Sequence, residues 1–343
     1  ASFQCGFEFT GTLGKAVGVW SAGGATIIAR RDHQGTGLQN AALMWGCHPS
    51  GTETTEEYNG TLWSVGGAFG RTRYGGTGVG YQTAAVHFAG YCGPATCCDT
   101  YEYNGTTWYD ASADQTVTTR YRGGAGIQNA ALAIGGYGPG SGPAYAQLGC
   151  TEHYNGTSWS SGGTLNSARS YAAAAGTQNA AVTYGGYSPP LSHKICTEEY
   201  DGSAWSSGGS LLAVTWWGGS GGGTQNVAYL AAGTNAWPNM GTVCDCTEEY
   251  NGTNWSTAGP SITKKTEILN AGNADAGLFF GGKLFHIESF VISCAVFLLF
   301  CCTSSAIYIL NDITDVNLDK FHPIKKHRPI ASGLISINNA WIF

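Results

Sequence analysis

The residues whose types and spacing could do chemistry lie near the end of the chain. Asn311-Asp312-Ile313-Thr314-Asp315-Val316-Asn317-Leu318-Asp319 is followed by His322-Pro323-Ile324-Lys325-Lys326-His327-Arg328-Pro329. On a helix, Asp312, Asp315 and Asp319 stand three and four residues apart and share one face. Three carboxylates on one face repel one another unless a cation lies between them, and magnesium holding a diphosphate is the natural occupant of such an oxygen-rich site. Elsewhere the candidates are scattered. His33, His48, His87, His153 and His193 show no pairing that would hold copper, and a lone histidine of this kind is expected at the surface. Cys97-Cys98 and Cys244-x-Cys246 lack the spacing of a tetrahedral zinc site. No catalytic residue and no cofactor are therefore expected in the first 282 residues.

Two kinds of element must position these residues. Phe290 to Leu310 is a run of 21 residues without a charge, rich in Phe, Val, Ile, Leu and Cys. That length predicts a membrane-crossing helix through residues 290–310. Lys320, Lys325, Lys326 and Arg328 follow it and place that end on the cytoplasmic side. Upstream the chain is a repeat array. The stretch Cys150 to Gly163, C-T-E-H-Y-N-G-T-S-W-S-S-G-G, recurs with its tryptophan at Trp63, Trp108, Trp159, Trp205 and Trp255, 45 to 51 residues apart. A period that long marks repeated supersecondary units.

One unit runs from Leu165 to Gly209. A short small-residue run, Ala168-Arg169-Ser170-Tyr171-Ala172-Ala173-Ala174-Ala175, meets a turn at Gly176-Thr177-Gln178-Asn179, then the apolar Ala180–Tyr184 and the pair Gly185-Gly186. After a variable loop, Thr197-Glu198-Glu199-Tyr200 alternates as a half-buried strand should. Asp201-Gly202 forms a tight turn, and Trp205 opens a fourth strand. Four short strands per unit predict an all-β propeller. Five complete blades fit between residues 29 and 258. Residues 1–25 supply the last two strands of a sixth and residues 259–282 its first two, so that both ends close a six-bladed ring without exposed edges. The expected domains are 1–282, the propeller, and 283–343, the helical membrane segment.

Composition bounds the function. Charged residues make up 11% of the chain, glycine numbers 53 and the net charge is -6, with no basic stripe, which excludes a nucleic-acid partner. Of the 12 cysteines, Cys294, Cys301 and Cys302 lie in the apolar run. The others are either small buried thiols or disulfides inside blades, such as Cys92 with Cys97 or Cys98. Asn59, Asn104, Asn155 and Asn251 open N-G-T triplets that also read as glycosylation sequons. The turn explains them better, because Asp201-Gly202-Ser203 keeps the turn and abolishes the sequon. Tyr137, Trp216, Trp217 and Trp237, in loops that do not recur, are placed to stack on sugar rings or simply to pack. The chain opens Ala1-Ser2-Phe3, without methionine, as expected of a processed or partial sequence.

The glycine pairs at 135–136, 185–186 and 281–282, with degenerate versions at Gly46-Cys47, Ala89-Gly90 and Ala231-Ala232, give the array a resemblance to kelch repeats. The Tyr to Trp steps Tyr58–Trp63, Tyr103–Trp108, Tyr154–Trp159, Tyr200–Trp205 and Tyr250–Trp255 carry it further. That resemblance implies structural roles for these tyrosines and tryptophans. It also implies a non-catalytic module recognising a glycan or protein at a cell or virion surface, in an extracellular or surface-associated setting. The aspartate motif and the His-Pro-x-Lys-x-x-Arg-Pro run resemble the UbiA-type membrane prenyltransferases, above all their decaprenyl-phosphate phosphoribosyltransferase branch. This resemblance implies that Asn311, Asp312, Asp315 and Asp319 bind magnesium and a donor diphosphate, with Lys325 and Arg328 on phosphate. The family builds its site from several membrane helices and a second aspartate-rich motif, so no turnover is expected from this chain alone. Asn273 to Gly282 fits the repeat, while Leu278 to Phe285 resembles the loop before the membrane helix in the transferase family, as expected either of a chimera joined near residues 278–282 or of a propeller tethered to a membrane.

Overall fold

The computed structural model describes residues 6–12, 15–28, 30, 32–46, 53–70, 73–93, 95–139, 145–188, 194–213, 220–231, 233, 246–260, 266–272, 276–283, 313–320 and 325–336. The chain divides into two compact units, Ala1–Leu284 and Phe285–Phe343.

The first unit is a β-propeller. Five four-stranded antiparallel sheets, blades 1 to 5, each arise from one sequence repeat: residues 34–65, 77–110, 123–161, 173–207 and 220–258. A sixth four-stranded sheet draws Thr266–Gly272 and Ala276–Lys283 from the end of the unit and Gly6–Thr12 and Lys15–Gly23 from its start. The two ends meet where Phe7 pairs with Phe279 and Thr10 with Ala276. The innermost strands, Gln34–Leu38, Thr77–Tyr81, Gly123–Ile127, Ala173–Thr177, Ser220–Thr224 and Thr266–Gly272, neighbour one another in a closed circuit. Closure leaves no inner edge free to pair with another chain. A short two-stranded ribbon, Tyr137–Gly138 with Ala146–Gln147, decorates blade 3.

Each invariant residue of the repeat has a physical task. Tyr and Trp face each other across the outer hairpin, as Tyr200 does Trp205, with ring centroids 4.8 to 5.1 Å apart in all five blades. Their polar atoms then stitch neighbouring blades. Trp205 Nε1 donates to Thr151 Oγ1 at 2.9 Å, and Trp108, Trp159 and Trp255 make the same bond to Thr55, Thr100 and Thr197. Tyr154 donates its hydroxyl to Glu102 of the preceding blade at 2.8 Å, as Tyr103 does to Glu57 and Tyr250 to Glu199. A glutamine from the inner turn adds a third stitch: Gln178 Nε2 donates to Ala131 O at 3.0 Å and Tyr154 O at 2.6 Å, and Gln82, Gln128 and Gln225 repeat this. Buried polar groups are costly when unpaired, so each stitch fixes the register of one blade on the next.

The T-E-E-Y strand, expected to be half-buried, is buried more deeply than that. The first glutamate is buried in blades 1, 3, 4 and 5, at Glu56, Glu152, Glu198 and Glu248. In the first three an arginine neutralises it: Arg30 with Glu56 at 2.7 Å, Arg122 with Glu152 at 2.5 Å and Arg169 with Glu198. Blade 2 puts Tyr101 at this place, and its Arg73 pairs with Asp99 instead. Glu248 accepts the backbone N–H groups of Leu212 and Ala213, each at 2.8 Å, with no cationic partner among the described residues. Burial raises its pKa.

The histidines also depart from the surface expectation. His33 and His87 are buried. His87 Nδ1 accepts from Trp45 Nε1 at 3.2 Å, and burial holds the ring neutral with a pKa well below its ordinary value. His153 stands where other blades carry the second glutamate and takes over its bond, with Nε2 2.8 Å from the Tyr200 hydroxyl. His48 and His193 lie outside the described residues.

Cys92 and Cys97 form a disulfide, and Cys246 is also disulfide-bonded. Cys150 and Cys196 are free thiols set against the Arg122 and Arg169 guanidinium groups. The Asn-Gly turns are built as expected. Asn155 Oδ1 accepts the N–H groups of Thr157 and Ser158 at 3.0 and 2.8 Å, Asn59, Asn104 and Asn251 do likewise, and Asp201 repeats the pattern with Ser203 and Ala204.

Candidate functional site

The inner strands line a channel, and its inward-facing positions are mostly glycine, alanine and threonine. Gly176 shows why: its φ is +108° and a Cβ there would lie 2.3 Å from Ala180 O. The cavity they enclose measures 560 Å³ and is lined by no Asp, Glu, His, Lys, Arg or Cys among the described residues. Its described hydroxyl groups are those of Thr36, Thr177, Thr224 and Tyr81.

Chemistry concentrates instead where the inner strands begin, on the face formed by the loops that do not recur. Asp32, Gly75, Tyr121 and Tyr171 occupy equivalent places in blades 1 to 4, each with positive φ of 49°, 63°, 57° and 58°. Their backbones join hands around the channel mouth: Gly75 N donates to Asp32 O, Tyr121 N to Gly75 O at 2.7 Å, and Tyr171 N to Tyr121 O at 3.0 Å. Only one of the four is glycine, and a Cβ at Gly75 would meet the Tyr121 ring at 2.5 Å. Left-handed backbone at non-glycine residues is held only where the surroundings over-determine it. Tyr121 and Tyr171 stack at 4.1 Å across the mouth. Burial and the nearby Asp32 carboxylate raise the Tyr121 pKa to about 12 and push that of Tyr171 further up.

A second recurrence supplies more aromatics. The residue after the glycine pair, or its degenerate form, is Tyr91, Tyr137 or Tyr187 in blades 2, 3 and 4. Each bridges back to the loop before the inner strand, Tyr91 to Tyr74, Tyr137 to Arg120 and Tyr187 to Ser170. Arg120 thereby enters a cage of four rings. Its guanidinium carbon lies 5.3 Å from the centroid of Tyr91, 5.4 Å from Tyr121, 5.3 Å from Tyr137 and 6.0 Å from Tyr145. The Cys92–Cys97 disulfide closes the loop behind Tyr91, and Thr96 of that loop hydrogen-bonds the Tyr145 hydroxyl at 3.3 Å. Tyr74, Tyr91, Tyr121, Tyr137 and Tyr171 are half-buried, and Tyr145 is exposed.

Of the aromatic residues singled out from the sequence, Tyr137 belongs to this cluster, whereas Trp216, Trp217 and Trp237 lie outside the described residues. The repeated pairs from Tyr58–Trp63 to Tyr250–Trp255 lie in the blade packing described above, away from the channel mouth. Sequence reasoning passed over Arg120, Tyr121 and Tyr171. Their signal was the Tyr that stands five residues ahead of the turn glycine in two consecutive repeats, Tyr121 before Gly126 and Tyr171 before Gly176.

In the second unit, residues 313–319 are helical, which puts Asp315 and Asp319 on one face. Asp319 is buried and pairs with Arg328 at 3.0 Å and with Lys325 at 3.8 Å. The structure thus brings Asp319, Lys325 and Arg328 together. Asn311, Asp312 and the apolar run 290–310 lie outside the described residues. No described helix is long and apolar enough to cross a membrane, and no described cluster of three acid, histidine or cysteine ligands is present.

Comparison with known proteins separates the two parts. Residues 276–343 match the UbiA prenyltransferase family. A decaprenyl-phosphate phosphoribosyltransferase of Corynebacterium glutamicum is 38% identical over 58 residues, 17% of this chain and 18% of that protein. The enzyme of the same name from Mycobacterium tuberculosis is 37% identical over 60 residues, 18% of this chain and 20% of that protein. A nodulation protein, NoeC, of Azorhizobium caulinodans is 45% identical over 47 residues, 13% of this chain and 15% of its own length. The chain therefore spans no more than a fifth of each of these relatives. Among solved structures, that of YjhT superposes with a TM-score of 0.61 at 12% identity, covering 72% of this chain and 88% of the other. That likeness concerns the propeller fold alone. A UbiA-family segment thus follows a β-propeller in one sequence.

Proposed function

We propose that the first unit is a kelch-type binding module, without catalytic activity, that recognises a glycan or protein ligand through its loop face at a cell or virion surface. The observation that carries this reading is the partly exposed tyrosine cluster around Arg120, set on strained backbone over a channel whose described lining holds no charged side chain, histidine or cysteine. Tyrosines combine a flat apolar face with a hydroxyl rim and lose little entropy on binding, which is why they dominate recognition surfaces. The Cys92–Cys97 disulfide favours an oxidising, extracellular setting. Binding of the full chain to arrays of glycans and of surface proteins, repeated with Tyr91→Ala and Tyr137→Ala, tests it. Ligand capture that both substitutions weaken at least tenfold supports the reading. Capture that neither affects removes it.

A second reading is favoured by the meeting of Asp319 with Lys325 and Arg328. In it the second unit is the donor-binding fragment of a magnesium-dependent membrane transferase of the UbiA type, anchored through residues 290–310. Carboxylates one helical turn apart suit magnesium, and a guanidinium beside them suits phosphate. Asn311, Asp312, Asp315 and Asp319 would hold the metal, which would neutralise the diphosphate, while Lys325 and Arg328 would take the phosphate oxygens. Magnesium-dependent binding of a phosphoribosyl diphosphate to the full chain in lipid vesicles, lost in Asp315→Asn, is the expected result. Binding unchanged by chelator would end this reading. Whether the two parts are one natural polypeptide or a chimera is decided by a peptide spanning Leu278 to Ile292 in mass spectra of the source material.

A further inference from the structure

Five arginines are described in the propeller, and four of them have an acid partner: Arg30 with Glu56, Arg73 with Asp99, Arg122 with Glu152 and Arg169 with Glu198. Arg120 has none among the described residues. It is also the one of the five placed at the channel mouth among half-buried rings, and its Nε is buried without a hydrogen bond. Four rings surround the guanidinium, and its fork of N–H donors matches a carboxylate bidentately.

We propose that the Arg120 cage is the binding site for an acidic sugar, a glycan residue bearing a carboxylate, with the carboxylate on Arg120 and the sugar ring against Tyr91, Tyr137 or Tyr145. This rests on the binding reading of the propeller and narrows it to one ligand class. The tyrosines supply what a sugar needs besides charge. Tyr74 and Tyr91 lie 4.8 Å apart and tilted by 40°, Tyr137 and Tyr145 5.5 Å apart and tilted by 38°. Each pair presents carbon faces for C–H contact and hydroxyls for the sugar's own.

The test uses the full chain and galacturonate oligosaccharides, compared with the same oligosaccharides as methyl esters, which keep the ring and lose the charge. The acid form is expected to bind at least tenfold more tightly, with affinity falling as salt is raised. Arg120→Gln should abolish the preference. Arg120→Lys, which keeps the charge but not the fork, should retain part of it and guards against misreading a loss of packing. Equal affinity for acid and ester overturns the acidic-sugar assignment and leaves the binding module standing. Absence of binding to any glycan, with capture of peptides through a free C-terminal carboxylate, overturns it in favour of a protein ligand. Absence of binding to both glycans and proteins removes the binding reading itself.

Discussion

Replacing Arg169 by methionine should cost more stability than any surface change in the propeller. The guanidinium is fully buried and saturated: Nη2 pairs with Glu198, Nη1 donates to Gly185 O at 3.2 Å and Cys196 O at 2.9 Å, and Nε donates to Ser167 O at 3.1 Å. Methionine fills much of the volume and supplies no donor. Glu198 would remain buried as a carboxylate held only by the N–H groups of Asn166 and Ser167. Breaking one partner of a buried ion pair costs about 3–5 kcal/mol. The charge left behind dominates that loss, so adding Glu198→Gln should recover on the order of 2 kcal/mol, because glutamine removes the charge while its Oε1 still accepts one of the two N–H groups. Urea titration of the full chain, followed by tryptophan fluorescence, reads both variants. An Arg169→Met midpoint indistinguishable from the parent, or a double variant no better than the single one, would refute the argument that the pair and not mere packing fixes blade 4.

Three further outcomes follow from the same physics. Glu248 has a raised pKa and no cationic partner among the described residues, so its contribution to stability is greatest below the unfolded carboxylate value near 4.5 and is lost as pH rises through the higher folded value; Glu248→Gln should flatten that segment of the stability profile and be tolerated at neutral pH, in contrast to Glu198→Gln. His153 is depressed by burial, so stability it supports is present above its unfolded pKa of 6.5 and lost as pH falls toward the folded value; His153→Glu, which restores the residue of other blades, should keep the bond to Tyr200 and remove this acid sensitivity in thermal melts at pH 5 and 7. Gln178→Ala strips the donor from two carbonyls between blades 3 and 4, and amide exchange should speed up at that seam while the far side of the ring stays protected, with a loss of about 1–3 kcal/mol.

The period of the repeat carried the architecture, because a blade is a local object: its turns, its alternation and its Tyr–Trp pair all lie within one unit. Even closure of the ring was legible, since half-units at both ends can only be completed by each other. What remained hidden was the use of polar side chains between units. Gln178 reads as a turn residue, and its amide in fact spans to the blade before it. Glu198 reads as one polar residue of a half-buried strand until Arg169, twenty-nine residues upstream, is found folded against it. The candidate site was least legible of all. Tyr91, the pair Arg120-Tyr121 and Tyr145 stand more than twenty residues apart in sequence and meet only because three loops of blades 2 and 3 rise over the same channel mouth.

The seam between the two parts is constrained from both directions. The strand Ala276–Lys283 pairs on one side with Thr266–Gly272 and on the other with Gly6–Thr12, so it is the piece through which the two ends of the propeller meet. The same eight residues open the segment that matches the UbiA family. A strand at this place asks little of its sequence beyond extended backbone with glycine where neighbours approach closely, and Ala-Gly-Leu-Phe-Phe-Gly-Gly-Lys satisfies that whatever its descent. A cut ahead of Ala276 would therefore not release an intact propeller. It would leave Gly6–Thr12 and Thr266–Gly272 facing each other across a missing strand, with two unpaired edges and a ring open to aggregation. The last described strand of the propeller thus runs to Lys283, inside the stretch that matches the UbiA family.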